Sequence, residues 1–293
     1  MKKPDSNVIL VLSSTRSGST WLGYVLGSCA DSAFLGEYYR AWDDQLRQPC
    51  AWCAANGRPD CEVLGGIESI PRDQAFPFAF VRTGARNLVD ASKSVEWAGT
   101  QLEAQKHNSR DGREIPYQIR AVHLIRDPRG WYASERRRTR LPLDQLMRKW
   151  VADNERIAAF LSSSGMPSVT AFYEDLAGDP ETTFRDLCGA LHLQFRAHAL
   201  RYWEQPHHGY ATNGASASLL AGLPSVSAIQ PYFITGDDQF YSSKRRKSFV
   251  DQRWMSALTA SECERICNAP GVHSLLDRYD RSIWNESPVP SCV

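Results

Sequence analysis

Short apolar, β-branched runs alternate along the chain with stretches whose apolar residues recur at helical spacing. Five runs read as strands: Asn7–Ser13, Ser32–Leu35, Asn87–Asp90, Ala121–Arg126 and Ser168–Tyr173. The clearest helix covers Asp144–Ser162, where Leu146, Met147, Trp150, Val151, Ile157, Ala158 and Leu161 share one face and Asp144 is placed to serve as N-cap. Another starts at Asp179-Pro180-Glu181, with Asp as cap and Pro at the first helical position. A last helix is expected from about Ser261. This alternation predicts an α/β fold, a P-loop-like parallel sheet of about five strands with helices on both faces. Ligands of such sheets bind beyond the carboxyl ends of the strands. From about 205 to 253, Gly209, Gly214, Gly222, Pro224, Pro231 and Gly236 break the pattern, which predicts a loop-rich lid over the site. No repeat or long linker interrupts the sequence, so residues 1–293 read as one domain.

Composition removes several classes. With 42% hydrophobic and 23% charged residues, the chain is an ordinary folded protein rather than a disordered one. Thirty-four Lys and Arg against 33 Asp and Glu leave a formal net charge of +1, so no global field draws nucleic acid or an anionic membrane. The apolar run Val8–Leu12 falls far short of the ~20 residues that a membrane helix needs. Lys2 and Lys3 imitate the start of a signal peptide, but Ser13, Ser14, Thr15 and Arg16 end the apolar stretch without a cleavage site. The expectation is a cytoplasmic protein without a nucleic-acid or membrane partner, with homodimerisation left open.

The first strand runs into Ser14-Thr15-Arg16-Ser17-Gly18-Ser19-Thr20 and then Trp21. A small-residue loop between a strand and a helix turns backbone N–H groups toward one point, and the helix N-terminus favours an anion there. Ser17, Ser19 and Thr20 add hydroxyl donors, and Arg16 adds a fixed charge with forked donors. An ordinary Ser-rich turn is the bland alternative. A Walker A loop carries a lysine directly after its second glycine; here Ser19 follows Gly18 and the cation precedes the glycine. That weakens the alternative of an ATP-dependent phosphotransferase. A second segment, Ala121–Arg126 followed by Asp127-Pro128-Arg129-Gly130, opens a helix that carries Ser134, so Arg126 and Ser134 can clamp one phosphate.

Together these two segments resemble the sulfotransferase superfamily that uses 3′-phosphoadenosine 5′-phosphosulfate (PAPS), in its bacterial and carbohydrate-type branch. Ser14–Trp21 resembles the family's 5′-phosphosulfate loop and Arg126–Ser134 its 3′-phosphate element. Leu35-Gly36-Glu37, Val89-Asp90-Ala91-Ser92-Lys93, Tyr173-Glu174-Asp175-Leu176 and Pro180 resemble further family motifs. So, more weakly, do His208 with Asn213, and Asp251-Gln252-Arg253-Trp254 with Leu258. Gly214 follows Asn213 instead of preceding it, and the phenol- and steroid-enzyme pattern K-T-H is missing.

The resemblance implies sulfuryl transfer from PAPS to a hydroxyl, or less readily an amine, of a small molecule or glycan. It implies in-line geometry with no metal required. Donor binding falls to Arg16, Ser17, Gly18, Ser19, Thr20, Trp21, Arg126, Ser134 and Tyr173, and to Lys244, Arg245 and Arg246 of the late basic run. Catalysis falls to Glu37 as general base, Lys93 on the bridging oxygen and Arg16 on the peripheral oxygens, with His208 as the rival base. A loop-capping glutamate and a solvated lysine are the bland alternatives. A nucleotide-binding module without catalysis is the non-enzyme alternative. His123, between Val122 and Leu124, reads as a packed core histidine, and His107 as a loop residue. The run Glu135–Arg140 reads as a solvated helix face with one arginine in use, the alternative being a basic face near the 3′-phosphate or an anionic acceptor, and most tryptophans read as core or rim.

Eight cysteines are too sparse for a disulfide scaffold. Cys50-Ala51-Trp52-Cys53 followed by Cys61 has metal-ligand spacing, but a closed zinc site needs a fourth ligand and no second CxxC supplies it. Reduced structural thiols or a local disulfide are therefore set above zinc. Cys263 and Cys267, four residues apart on the last helix, are expected to be buried by packing.

Overall fold

A computed structural model describes residues 6–43, 50–58, 60–111, 116–210, 220, 244 and 249–281. Its centre is a parallel sheet of five strands: β1 (Ser6–Ser13), β2 (Ser32–Phe34), β3 (Asn87–Asp90), β4 (Tyr117–Ile125) and β5 (Ser168–Phe172), in the order β2-β3-β1-β4-β5. In β1, Ile9 and Val11 pack on one face while Val8, Leu10 and Leu12 pack on the other. Both faces are covered, which is why the strand reads as a continuous apolar run rather than an alternating one.

On the first face lie α1 (Ser19–Gly27), α7 (Tyr173–Gly178) and α8 (Pro180–Leu191). On the second lie α2 (Ala51–Ala55), α3 (Ala75–Thr83), α4 (Val95–Asp111) and α6 (Leu143–Ser164). A third cluster, around Trp131, Trp150 and Val272, joins α6 to α5 (Pro128–Glu135) and to the helices Ala260–Cys267 and Val272–Asp277. Asp179 caps α8 by accepting from Thr182 N at 3.3 Å, with Pro180 at the first helical position as expected.

Several details differ from the sequence reading. β4 begins at Tyr117 rather than Ala121, because Arg120 turns its charge to the side chains of Gln118 and Asn7 and so stays in the ladder. Pro142, not Asp144, is the N-cap residue of α6. Asp144 sits inside the first turn, where a carboxylate favours the helix dipole, and pairs with Arg265 at 2.9 Å. His107 lies on α4 rather than in a loop. Cys263 and Cys267 are only half-buried, since Ile266 is the residue that their helix turns inward. Most of the expected lid at 205–253 lies outside the described residues.

Candidate active site

All five strands are parallel, so their carboxyl ends share one edge of the sheet. In sheet order that edge carries Glu37 after β2, Lys93 after β3, the Ser14–Thr20 loop after β1, Arg126 after β4 and Tyr173 after β5. Four strand spacings of ~4.8 Å set these groups along roughly 19 Å. The chain leaves β1 by α1 on one face and β4 by α5 and α6 on the other, which opens a crevice between the two strands.

The loop after β1 is held from three sides. Trp131 Nε1 donates to Thr15 O at 2.6 Å, Arg126 Nη1 to Arg16 O at 3.0 Å, and Ser14 Oγ to Asp153 at 2.6 Å. Gly18, at φ 92°, is the N-cap of α1, and a Cβ there would meet the Tyr173 ring at 2.7 Å. Only glycine satisfies both conditions. Arg16 takes φ 66°, a left-handed backbone that costs a side-chain-bearing residue about 1–2 kcal/mol. Ser17, Ser19 and Thr20 are buried, and Ser17 Oγ has no hydrogen-bond partner among the described residues. Trp21 packs edge-on against Tyr173 and Phe184, with ring centroids 5.7 and 5.5 Å apart.

Across the crevice, Arg16 Nε donates to Ser134 Oγ at 3.2 Å, so the loop after β1 and helix α5 meet. Arg126 lies 4.7 Å over the Tyr173 ring and pairs with Asp251 at 3.2 Å. Burial opposes ionisation of Asp251, but hydrogen bonds from Arg253 and the charge of Arg126 hold its carboxyl well below the usual range. A Cβ on Gly130 would stand 3.2 Å from Arg126 Nε, so the glycine leaves that guanidinium its place. A cavity opens here between Arg126, Ser134, Arg136, Arg137, Arg253 and Trp254. Lys244 is half-buried, while Arg245 and Arg246, like Asn213 and Gly214, lie outside the described residues.

At the other end, Lys93 Nζ donates to Glu37 Oε1 at 2.5 Å, and Arg40 Nε stands 2.8 Å from Glu37 Oε2. Glu37 is fixed through its backbone: its N–H donates to Tyr210 O at 2.8 Å, and Tyr210 N to Leu35 O at 2.9 Å. Gly36, at φ 77°, allows this pairing, because a Cβ would fall 2.1 Å from Tyr210 O. Lys93, at φ 64°, is a second left-handed non-glycine residue at the site. Beneath them Asp90 accepts from Ser92 N (2.8 Å), Tyr38 N (3.3 Å) and Trp97 Nε1 (2.7 Å), and burial pushes its carboxyl up to about 6.

His208 is not brought to Glu37. Its Nδ1 lies 3.3 Å from Cys53 Sγ and 3.8 Å from Cys61 Sγ, so the structure joins the expected rival base to the cysteine cluster instead. Cys50, Cys53 and Cys61 are buried free thiols, not a disulfide. His207 and His123 are enclosed, and burial holds each imidazole neutral, down to about 4. His123 is the core residue that its strand position implied, bonded to Asn154 at 3.1 Å.

Among solved structures, the sulfotransferase domain of the curacin biosynthetic pathway matches 91% of this chain and 97% of its own, at 18% identity and a TM-score of 0.51. The chain has the sulfotransferase fold. A Synechococcus olefin synthase sulfotransferase domain also matches, covering 97% of both chains at 16% identity and TM-score 0.45. So does a mouse sulfotransferase complexed with PAP, covering 96% of this chain and 87% of its own at 13% identity and TM-score 0.46. No family model matches the sequence, and no curated protein matches it.

Within this sulfotransferase fold, sequence reasoning passed over Arg40 and gave Arg253 only as part of a family-like motif. Of the run Glu135–Arg140, read as a solvated face with one arginine in use, two arginines, Arg136 and Arg137, border the cavity beside Ser134. Arg40 lies three residues after Glu37, a spacing that a turn of helix over Tyr38–Trp42 brings together. No sequence pattern announces the left-handed backbones of Arg16 and Lys93, although strain of this kind clusters at functional sites.

Proposed function

We propose that the protein transfers a sulfuryl group from PAPS to a hydroxyl of a small molecule or glycan, releasing 3′-phosphoadenosine 5′-phosphate. The carrying observation is the 3.2 Å bond between Arg16 and Ser134, which joins the loop after β1 to α5 on the sheet edge that also carries Glu37 and Lys93. The donor supplies an activated sulfuryl group and a 5′-phosphate leaving group. Ser17, whose buried hydroxyl has no partner among the described residues, fits an anion in the loop, and the cavity flanked by Arg126 and Ser134 fits a second phosphate. Arg16 offsets charge on the peripheral oxygens. Glu37 accepts the proton of the acceptor hydroxyl as the new S–O bond forms. Lys93, released from Glu37, takes the bridging oxygen that receives the electron pair of the breaking S–O bond.

The test is twofold. The bisphosphate product should raise the melting temperature well above the shift given by ATP, since a native-state ligand at a hundredfold excess over Kd adds about 2.7 kcal/mol. PAPS with pooled hydroxyl acceptors should then yield a sulfated mass. Equal shifts with ATP, together with no mass change across the pool, would refute the reading.

A further inference from the structure

We infer that Cys50, Cys53, Cys61 and His208 form a closed zinc site, a structural clasp separate from the sulfuryl-transfer groups. The four ligand atoms lie within 4.8 Å of one another, drawn from three stretches of chain. In a tetrahedral zinc site, bonds of ~2.3 Å to sulfur and ~2.05 Å to nitrogen put neighbouring S and N ligands about 3.6 Å apart. Here Nδ1 of His208 stands 3.3 Å from Cys53 Sγ and 3.8 Å from Cys61 Sγ, on either side of that value. The three cysteines are 1–6% exposed, so the site is shut to a fifth ligand, as structural zinc sites are.

The surroundings are those of a metal site. Leu64 N–H points at Cys61 Sγ from 3.3 Å, a donor suited to thiolate charge. Nε2 of His208, turned away from the sulfurs, stands 3.7 Å from the Glu62 carboxylate, the kind of partner that orients a ligating imidazole. Trp52 covers the ring edge-on at 6.5 Å. The fourth ligand escaped the sequence reading because it lies 147 residues beyond Cys61 rather than in a second CxxC.

The clasp also has a place to act. His208 stands two residues before Tyr210, whose backbone pairs with Leu35 and Glu37, and Tyr210 Oη donates to Leu64 O at 2.8 Å. Zinc at this point ties the Cys50–Leu64 stretch to the segment that fixes Glu37.

Elemental analysis of the tag-free protein purified with reductant should give about one zinc per chain. Replacement by Co(II) should give a thiolate-to-cobalt charge-transfer band and the strong visible absorption of a tetrahedral ion. Cys61→Ser and His208→Ala should lose the metal and melt lower, while His208→Cys, which restores a fourth ligand, should keep it. A folded, fully reduced wild-type protein that neither contains zinc nor takes it up would overturn the inference. So would undiminished metal in Cys61→Ser and His208→Ala, or a cobalt spectrum without thiolate character. Should those variants fail to fold, the wild-type zinc content and cobalt spectrum decide alone.

Discussion

Lys93 Nζ and Glu37 Oε1 lie 2.5 Å apart across the ends of the neighbouring strands β3 and β2. Their side chains are 13% and 11% exposed, so Lys93 is compensated by Glu37, and Glu37 by Lys93 together with Arg40 at 2.8 Å. The pair thereby sets the Glu37 carboxylate and the Lys93 ammonium side by side at the ends of β2 and β3.

From this pairing, Glu37→Gln should lower kcat by about 10²–10⁴-fold while leaving donor affinity nearly unchanged, because shape survives and basicity does not. Lys93→Ala should also act mainly on kcat, since its proposed partner gains charge only during transfer. The double variant should lose less than the product of the two, as expected for groups in direct contact. Single-turnover transfer at saturating donor and acceptor measures all three. A Glu37→Gln enzyme of near-normal rate would remove the base assignment.

Arg126 should act on affinity instead. It borders the cavity with Ser134 and pairs with Asp251, and a 3′-phosphate carries the same charge before and during transfer. Loss of a charge-assisted hydrogen bond, about 1.5–3 kcal/mol, means that Arg126→Ala weakens the bisphosphate roughly 10- to 150-fold. Binding of an analogue without the 3′-phosphate should change far less. Calorimetric titration of both ligands into wild type and variant separates the cases; an equal loss for both would show that Arg126 does not read the 3′-phosphate.

Much of this arrangement was legible before the structure because it is local. The strands announce themselves by β-branched runs, and the Arg16–Thr20 loop and the Arg126–Ser134 segment each lie within ten residues. What was not legible is long-range. The His208–Cys61 contact spans 147 residues, and the Arg126–Asp251 pair spans 125. Such contacts follow from how loops return over the sheet edge, which periodicity does not encode. His208 shows the consequence, since sequence neighbours suggested a base and the fold makes it a companion of three thiols.

Asp90 provides the pH signature of this edge. It is 1% exposed, and burial raises its carboxyl to about 6, whereas in the unfolded chain it ionises near the ordinary value of about 3.9. Between those values the folded chain still holds a proton that the unfolded chain has released. Stability therefore falls as pH rises through the window, and the loss, at most about 3 kcal/mol, is complete above about pH 6. Asp90→Asn removes that titration but turns an amide N–H₂ toward one of the donors, Trp97 Nε1 or the Ser92 and Tyr38 N–H groups, a mismatch worth about 1–3 kcal/mol. The variant should thus be the less stable protein near pH 4.5, with the gap narrowing, and even reversing, by pH 7. Urea unfolding of both proteins at the two pH values reads the gap directly, because every other titrating group cancels between them. A gap that stayed constant across the window would mean that Asp90 ionises in the fold as it does in the unfolded chain, with its donors fully offsetting its burial.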